Sequence, residues 1–210
     1  GVEAKDTISS VEVINLHTQE KETFTNAQCE FAYRTSIFKQ DPDTYVVTAV
    51  TFTLSKTSQP HLEYGAIQQQ LQEMGIENPR SEDVANVVIR IRQSKLPDVG
   101  EIGMAGSFFK NPVISKSHAE QLQETYPDIV MFPAGEQNMK ISAGWLIEYL
   151  GYKGVQEGKV GTYHKHALVL VNYGEASGRE VWDFAQKIIK EVKQKFDITL
   201  EPEVLIIQNP

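Results

Sequence analysis

The chain has 210 residues, 40% of them apolar, with a formal net charge of −8 and one cysteine. Length and apolar share leave room for one large domain or two small ones with a true core, which excludes disorder as the main state. The acid excess excludes a general nucleic-acid binder, Cys29 alone excludes a disulfide framework or a cysteine-rich zinc site, and no run approaches the roughly 18 apolar residues of a membrane-spanning helix.

The first third is strand-rich. Ser9 to Leu16 alternates around Val11, Val13 and Ile14, and Tyr45 to Leu54 alternates Val47 and Ala49 against Thr48 and Val50. Between them, Phe31 to Lys39 follows no clean period, and Asp41-Pro42-Asp43 predicts a turn. Thr57 to Pro60 reads as a loop leading into a polar, Gln-rich helix over Tyr64 to Met74. Ser81 caps a segment with Val84, Val87, Val88 and Ile91 on one helical stripe, stopped by Leu96-Pro97-Asp98. Pro97 to Gly106, with three glycines, is the best domain boundary. Ser117 and Glu120 suggest a capping box for a helix ending before Pro127. Ser142 is placed to cap Ala143 to Leu150, with Gly151 as the stop. His166 to Val171 is an apolar strand candidate. Ser177 and Glu180 open a long helix that buries Val181, Phe184, Ala185, Ile188 and Val192 and ends in a basic turn at Lys193 and Lys195. Val204 to Ile207 reads as a last strand.

Four segments carry groups with chemistry. Gly100 to Pro112 is a glycine-rich loop candidate that ends in Ser107, Phe108, Phe109, Lys110 and Asn111. Glycines let backbone approach a ligand, and Lys and Asn can bind an anion. The plainer reading, a tight turn over a buried aromatic pair, is favoured while the segment stands alone. No nucleophile elbow is present, and no His lies near Ser107 in sequence, which disfavours a hydrolase. In Tyr33-Arg34-Thr35-Ser36, an Arg within an aromatic stretch is costly to bury unpaired. It suits either a carboxylate or phosphate clamp or a surface ion pair. Glu201 and Glu203, two residues apart, would share one side of a strand and serve as acid or base, or simply sit solvated. His164 and His166 have strand spacing but no supporting cluster, so a structural or ligand-lining role is expected rather than a metal.

Taken in order, Tyr33-Arg34-x-Ser36-x-Phe38-Lys39, Lys95-Leu96-Pro97-Asp98, Gly106 to Pro112, Ala143 to Glu148 and Leu200 to Val204 resemble the UDP-N-acetylenolpyruvoylglucosamine reductase (UDP-N-acetylmuramate dehydrogenase) family. The likeness is to the branch that carries a tyrosine loop, and it covers essentially the whole chain. It implies an α+β fold: the remainder of a two-lobed FAD-binding domain, antiparallel-rich with helices, over residues 1–96; an α/β substrate-binding domain over 97–197; and a return strand over 198–210. It implies a cytoplasmic bacterial flavoenzyme of cell-wall precursor synthesis. NADPH reduces FAD, and UDP-N-acetylglucosamine enolpyruvate becomes UDP-N-acetylmuramate.

By the same resemblance, Arg34 and Glu203 flank the substrate carboxylate and Ser107 delivers the quenching proton. Tyr33 lines the pocket, Tyr64 is the loop tyrosine over the nucleotide, and Lys95 and Asn111 bind substrate, the lysine at the diphosphate. His166 stands where family members often carry an amide. The family's flavin site is built mainly by an N-terminal segment with a glycine-rich pyrophosphate loop, and nothing of that kind is found in this sequence. The expectation is therefore a C-terminal portion, colourless and inactive alone, whose own residues for the cofactor are unknown. Two further readings stay open: a nucleotide-sugar binding module without catalysis, and an FAD-linked oxidase relative with another substrate. The Ser107 and Glu203 patterns argue against the second.

Overall fold

A computed structural model describes residues 3–57, 59–62 and 66–207. The chain forms two compact units, Gly1–Ile91 and Arg92–Pro210. The division falls inside a helix, ahead of the Pro97 to Gly106 stretch where the sequence suggested it.

In the first unit, β1 (Ile8–Asn15), β2 (Lys21–Thr25) and β3 (Tyr45–Phe52) make an antiparallel sheet in the order β2-β1-β3. The turn from β1 to β2 is held by the Asn15 side chain, whose Oδ1 accepts from the His17 and Thr18 backbone N–H groups at 3.0 and 3.3 Å. Period-two alternation on β1 sends Val11 and Val13 into a core with Cys29. The Phe31 to Lys39 stretch lacks a period because it is mostly turn, with one short helix, α1 (Ile37–Gln40). Packing fixes it instead: Phe24, Phe38 and Tyr45 meet edge to face with ring centroids 5.3–6.0 Å apart. A separate cluster joins α2 (Ile67–Glu73) to α3 (Ser81–Lys95) through Ile67, Leu71 and Val87. Ser81 is the first helical residue of α3 rather than its cap, and Asp83 accepts from the Arg80 N–H at 2.8 Å. The helix stops before Leu96-Pro97, as proline demands.

The second unit holds two antiparallel sheets. One has the order β4-β10-β9-β8, from β4 (Gly103–Ser107), β8 (Gln156–Glu157), β9 (Val160–Tyr163) and β10 (His166–Asn172). The other has the order β5-β7-β6, from β5 (Val113–Ser115), β6 (Met131–Pro133) and β7 (Asn138–Ile141). The helices α4 (Lys116–Thr125), α5 (Ala143–Tyr149) and α6 (Gly178–Phe196) pack on them. The core gathers Phe108, Phe109, Ile141, Leu146, Ile147, Leu170, Ile188 and Phe196. Gly161 is obligatory where β9 crosses the loop after α5, since a Cβ there would collide with the Val155 carbonyl oxygen.

Capping residues set the helix starts. Ser177 and Glu180 form the reciprocal capping box that opens α6. Ser142 caps α5, its Oγ accepting from Trp145 N–H at 3.2 Å. On α4 the cap is Ser115, which accepts from His118 N–H at 3.3 Å, and not Ser117, whose hydroxyl instead lies 3.1 Å from that of Ser115. Two expectations need correction. Gly103 to Ser107 is a strand rather than a loop, because β10 supplies a ladder for it. Val204 to Ile207 is not a strand, since among the described residues only Pro202, opposite Phe109, forms a bridge in that region.

Candidate functional site

In the first unit, Arg34 occupies a tight turn. Ala32 and Thr35 exchange both backbone hydrogen bonds, at 3.1 and 3.2 Å, so Tyr33 and Arg34 form the tip between them. Arg34 is exposed, so the cost of burying an unpaired arginine does not arise. Its φ of +56° puts it in the left-handed region, which non-glycine residues avoid. The Lys39 ammonium donates to the Arg34 carbonyl oxygen at 3.4 Å, and the guanidinium lies 5.8 Å from the centre of the Tyr33 ring. Tyr33 and Arg34 are thus displayed together. Tyr64 lies outside the described residues.

The remaining candidates belong to the second unit. Ser107 ends β4 opposite Val169 of β10, and the next residue is fixed by Phe108 N–H donating to the Leu168 carbonyl at 2.8 Å. Gly106, with φ +75°, makes the bend just before the serine. Phe108 and Phe109 are both buried, with centroids 5.1 Å apart, so the aromatic pair anchors the segment while Ser107 stays exposed. The buried aromatic pair of the plainer reading is therefore present, and Ser107 beside it is exposed.

A short antiparallel ladder ties this segment to the glutamates. Lys110 N–H donates to the Glu201 carbonyl at 2.9 Å, Glu203 N–H donates to the Phe108 carbonyl at 2.8 Å, and Phe109 bridges Pro202. Pro202 lacks an N–H, which costs nothing at this position because its neighbours supply the donors. The ladder sets Glu203 directly across from Phe108, one residue from Ser107. It also sets Lys110 across from Glu201, and their side chains close an ion pair at 3.3 Å.

Asn111 has one half of its amide committed. Its Oδ1 accepts from Ala143 N–H, the first residue of α5, at 2.9 Å. That fixes the flip of the amide, so Nδ2, which has no partner among the described residues, carries two N–H donors to offer an anion. His166 opens β10. Its Nδ1 accepts from Leu168 N–H at 3.3 Å, which places the neutral ring's proton on Nε2. Burial first, then Lys95 and Lys153, hold this imidazole below its ordinary value, against the opposing pull of Glu148. Lys95 ends α3, and Lys153 is paired with Glu148 at 2.8 Å. Lys153 was missed in the sequence, where nothing marks a lysine in a turn as the neighbour of a residue opening a later strand. His164 stacks near Tyr163, with centroids 4.5 Å apart, and no cluster able to hold a metal ion occurs among the described residues.

The glycine-rich stretch does not fit a flavin pyrophosphate. Gly103 packs against Asn172 across the β4–β10 ladder, and the Gly100 N–H is taken by the Asp98 carboxylate at 2.8 Å. The Gly100 N–H is therefore already satisfied within the chain.

Known proteins resemble this chain over nearly its whole length. A family model described as the C-terminal domain of UDP-N-acetylenolpyruvoylglucosamine reductase matches residues 98–207. A protein of that name from Flavobacterium johnsoniae is 45% identical over 99% of this chain and 62% of its own length. Those of Pseudomonas fluorescens and Chromobacterium violaceum are 43% and 45% identical, over 97% and 99% of this chain and 60% and 61% of their own. The crystal structure of the reductase (MurB) from Thermus caldophilus matches 95% of this chain and 52% of that chain with a TM-score of 0.54. At 22% identity that likeness shows the fold alone. The chain belongs to the UDP-N-acetylenolpyruvoylglucosamine reductase family, has its α+β fold, and spans about three fifths of the length of the curated relatives it matches.

Proposed function

We propose that the full-length protein carrying this chain reduces UDP-N-acetylglucosamine enolpyruvate to UDP-N-acetylmuramate. NADPH and FAD are its redox partners, the process is peptidoglycan precursor synthesis, and the place is the bacterial cytoplasm. We assign residues 97–197 to the substrate side. The observation that carries this reading is the ladder between residues 108–110 and 201–203, which holds the segments of Ser107 and Glu203 side by side.

FAD, when bound, supplies the hydride, and no residue of this chain is assigned to holding it. The chain's own residues handle charge and the proton. Adding hydride to one carbon of the enolpyruvyl double bond leaves negative charge spread from the other carbon into the carboxylate. Arg34 and Glu203 are assigned to that carboxylate, where a preorganised cation lowers the barrier as charge develops. Ser107 is assigned to protonate the carbon. Serine is a weak acid in water, so this step needs a water-poor site. Lys95 and the free Nδ2 of Asn111 are assigned to the diphosphate, with Tyr33 and Tyr64 lining the nucleotide side. His166, uncharged with its proton on Nε2, adds a neutral donor near Lys95.

In the full-length protein, Ser107→Ala should leave flavin reduction by NADPH intact and cut substrate turnover by about 100-fold or more. Undiminished turnover would remove Ser107 from the mechanism. The 210 residues expressed alone should be colourless and fail to oxidise NADPH, and stoichiometric flavin absorbance would refute that half of the proposal.

A further inference from the structure

We propose that Lys110 and Glu201 are positioning residues for the proton-transfer step, acting as the register lock that keeps Glu203 opposite Phe108, the residue next to Ser107. This rests on the reductase reading above. A ladder of a single bridge, Phe109 with Pro202, closed by two backbone hydrogen bonds resists a slip poorly. A slip of one residue would turn Glu203 to the opposite face of its strand. The bridge residue on one strand is Pro202, which contributes no donor and so adds nothing to the lock.

The directly opposed pair is Lys110 and Glu201. Their backbones are joined at 2.9 Å and their side chains at 3.3 Å, so the pair favours one register over its neighbours. One strand is anchored by the buried Phe108 and Phe109, the other by the buried Leu200. The anchors fix depth, and the charged pair fixes alignment. Lys110 is thereby engaged by a carboxylate of its own chain, and its charge is spent on geometry rather than on the substrate diphosphate.

The test uses Lys110→Met, Glu201→Gln and the swap Lys110→Glu with Glu201→Lys, all in the full-length protein. Each single variant should lower kcat by about three- to tenfold while leaving KM and the calorimetric affinity for UDP-N-acetylglucosamine enolpyruvate unchanged. The solvent deuterium isotope effect on kcat should rise in the single variants, because misaligned proton delivery becomes slower relative to other steps. The swap should restore both quantities toward wild type.

If Lys110 binds substrate directly, Lys110→Met raises KM, Glu201→Gln has no effect and the swap does not rescue, which overturns the proposal. Unchanged kcat and isotope effect in both single variants overturns it equally. Failure of the reductase reading shows separately, as a wild-type protein that does not turn over the enolpyruvyl nucleotide at all. A variant that fails to fold shows as a lost melting transition, and Glu201→Gln, being isosteric and exposed, then decides the question alone.

Discussion

A left-handed arginine at the tip of a two-residue turn is a local cost. Leaving the left-handed region to glycine removes roughly 1–2 kcal/mol of backbone strain, set against roughly 0.4–1 kcal/mol of extra freedom that a glycine gives the unfolded chain. Arg34→Gly should therefore stabilise the chain by about half a kcal/mol to 1 kcal/mol in urea unfolding, while full-length turnover collapses. The turnover loss follows from the role assigned to the guanidinium and not from the strain, since Gln19, Glu30, Glu175 and Asp197 share the positive φ. Clear destabilisation would show that the turn is not strained, and retained turnover would show that the guanidinium is not used. At this scale the sequence was informative about identity and silent about orientation. Tyr33, Arg34, Ser107 and Asn111 were legible as residue types in a pattern. That Asn111 turns its carbonyl to α5 and its N–H groups outward was not, because it depends on a helix start thirty-two positions away. The pairing of Lys110 with Glu201, ninety-one positions apart, was hidden for the same reason.

Elements were legible where one local rule dominates. The strong stripe and capping box of α6, the proline stop of α3 and the Ser142 cap of α5 all depend on neighbours within a turn or two. They were read correctly because tertiary context had nothing to override. On α4 two serines compete for the cap, and Ser115 wins because it is the one with extended backbone (φ −62°, ψ 148°) at the end of β5. Gly103 to Ser107 looked like a loop because glycine is a poor strand former, yet β10 offers a ladder that outweighs propensity. The short strands β5 to β9 carry two to four residues each, too few for a period to register. Val204 to Ile207 has the composition of a strand but no ladder: Val204 and Ile206 pack against the core while Leu205 and Ile207 are each 82% exposed. Alternation is present there without pairing, so composition alone could not tell the two apart.

On the scale of the whole chain, the net charge of −8 says little about ligands, because the assigned anion contacts are local: Arg34, Lys95 and the Asn111 amide. The distribution of apolar surface says more. Among the described residues β3 is an edge strand, paired to β1 on one side only. Cross-strand register puts Val50 opposite Val11 and Val47 opposite Val13, so all four share one face of the sheet. That face is covered over β1, where Val11 and Val13 are buried, and open over β3, where Val47 and Val50 are 44% and 38% exposed. An open apolar face beside an unpaired edge is the configuration that draws strands of different molecules together. The 210-residue chain on its own should therefore sediment as a concentration-dependent mixture of oligomers. Val47→Lys with Val50→Lys should shift it to monomer, since two charges on that face repel an incoming copy and keep the edge solvated. The melting temperature should change little, because neither side chain is in the core and exposed substitutions away from special features cost within about 0.5 kcal/mol each. A wild-type chain that stays monomeric over a wide concentration range would show that the edge is already protected. A double variant that associates as before would place the sticky surface elsewhere.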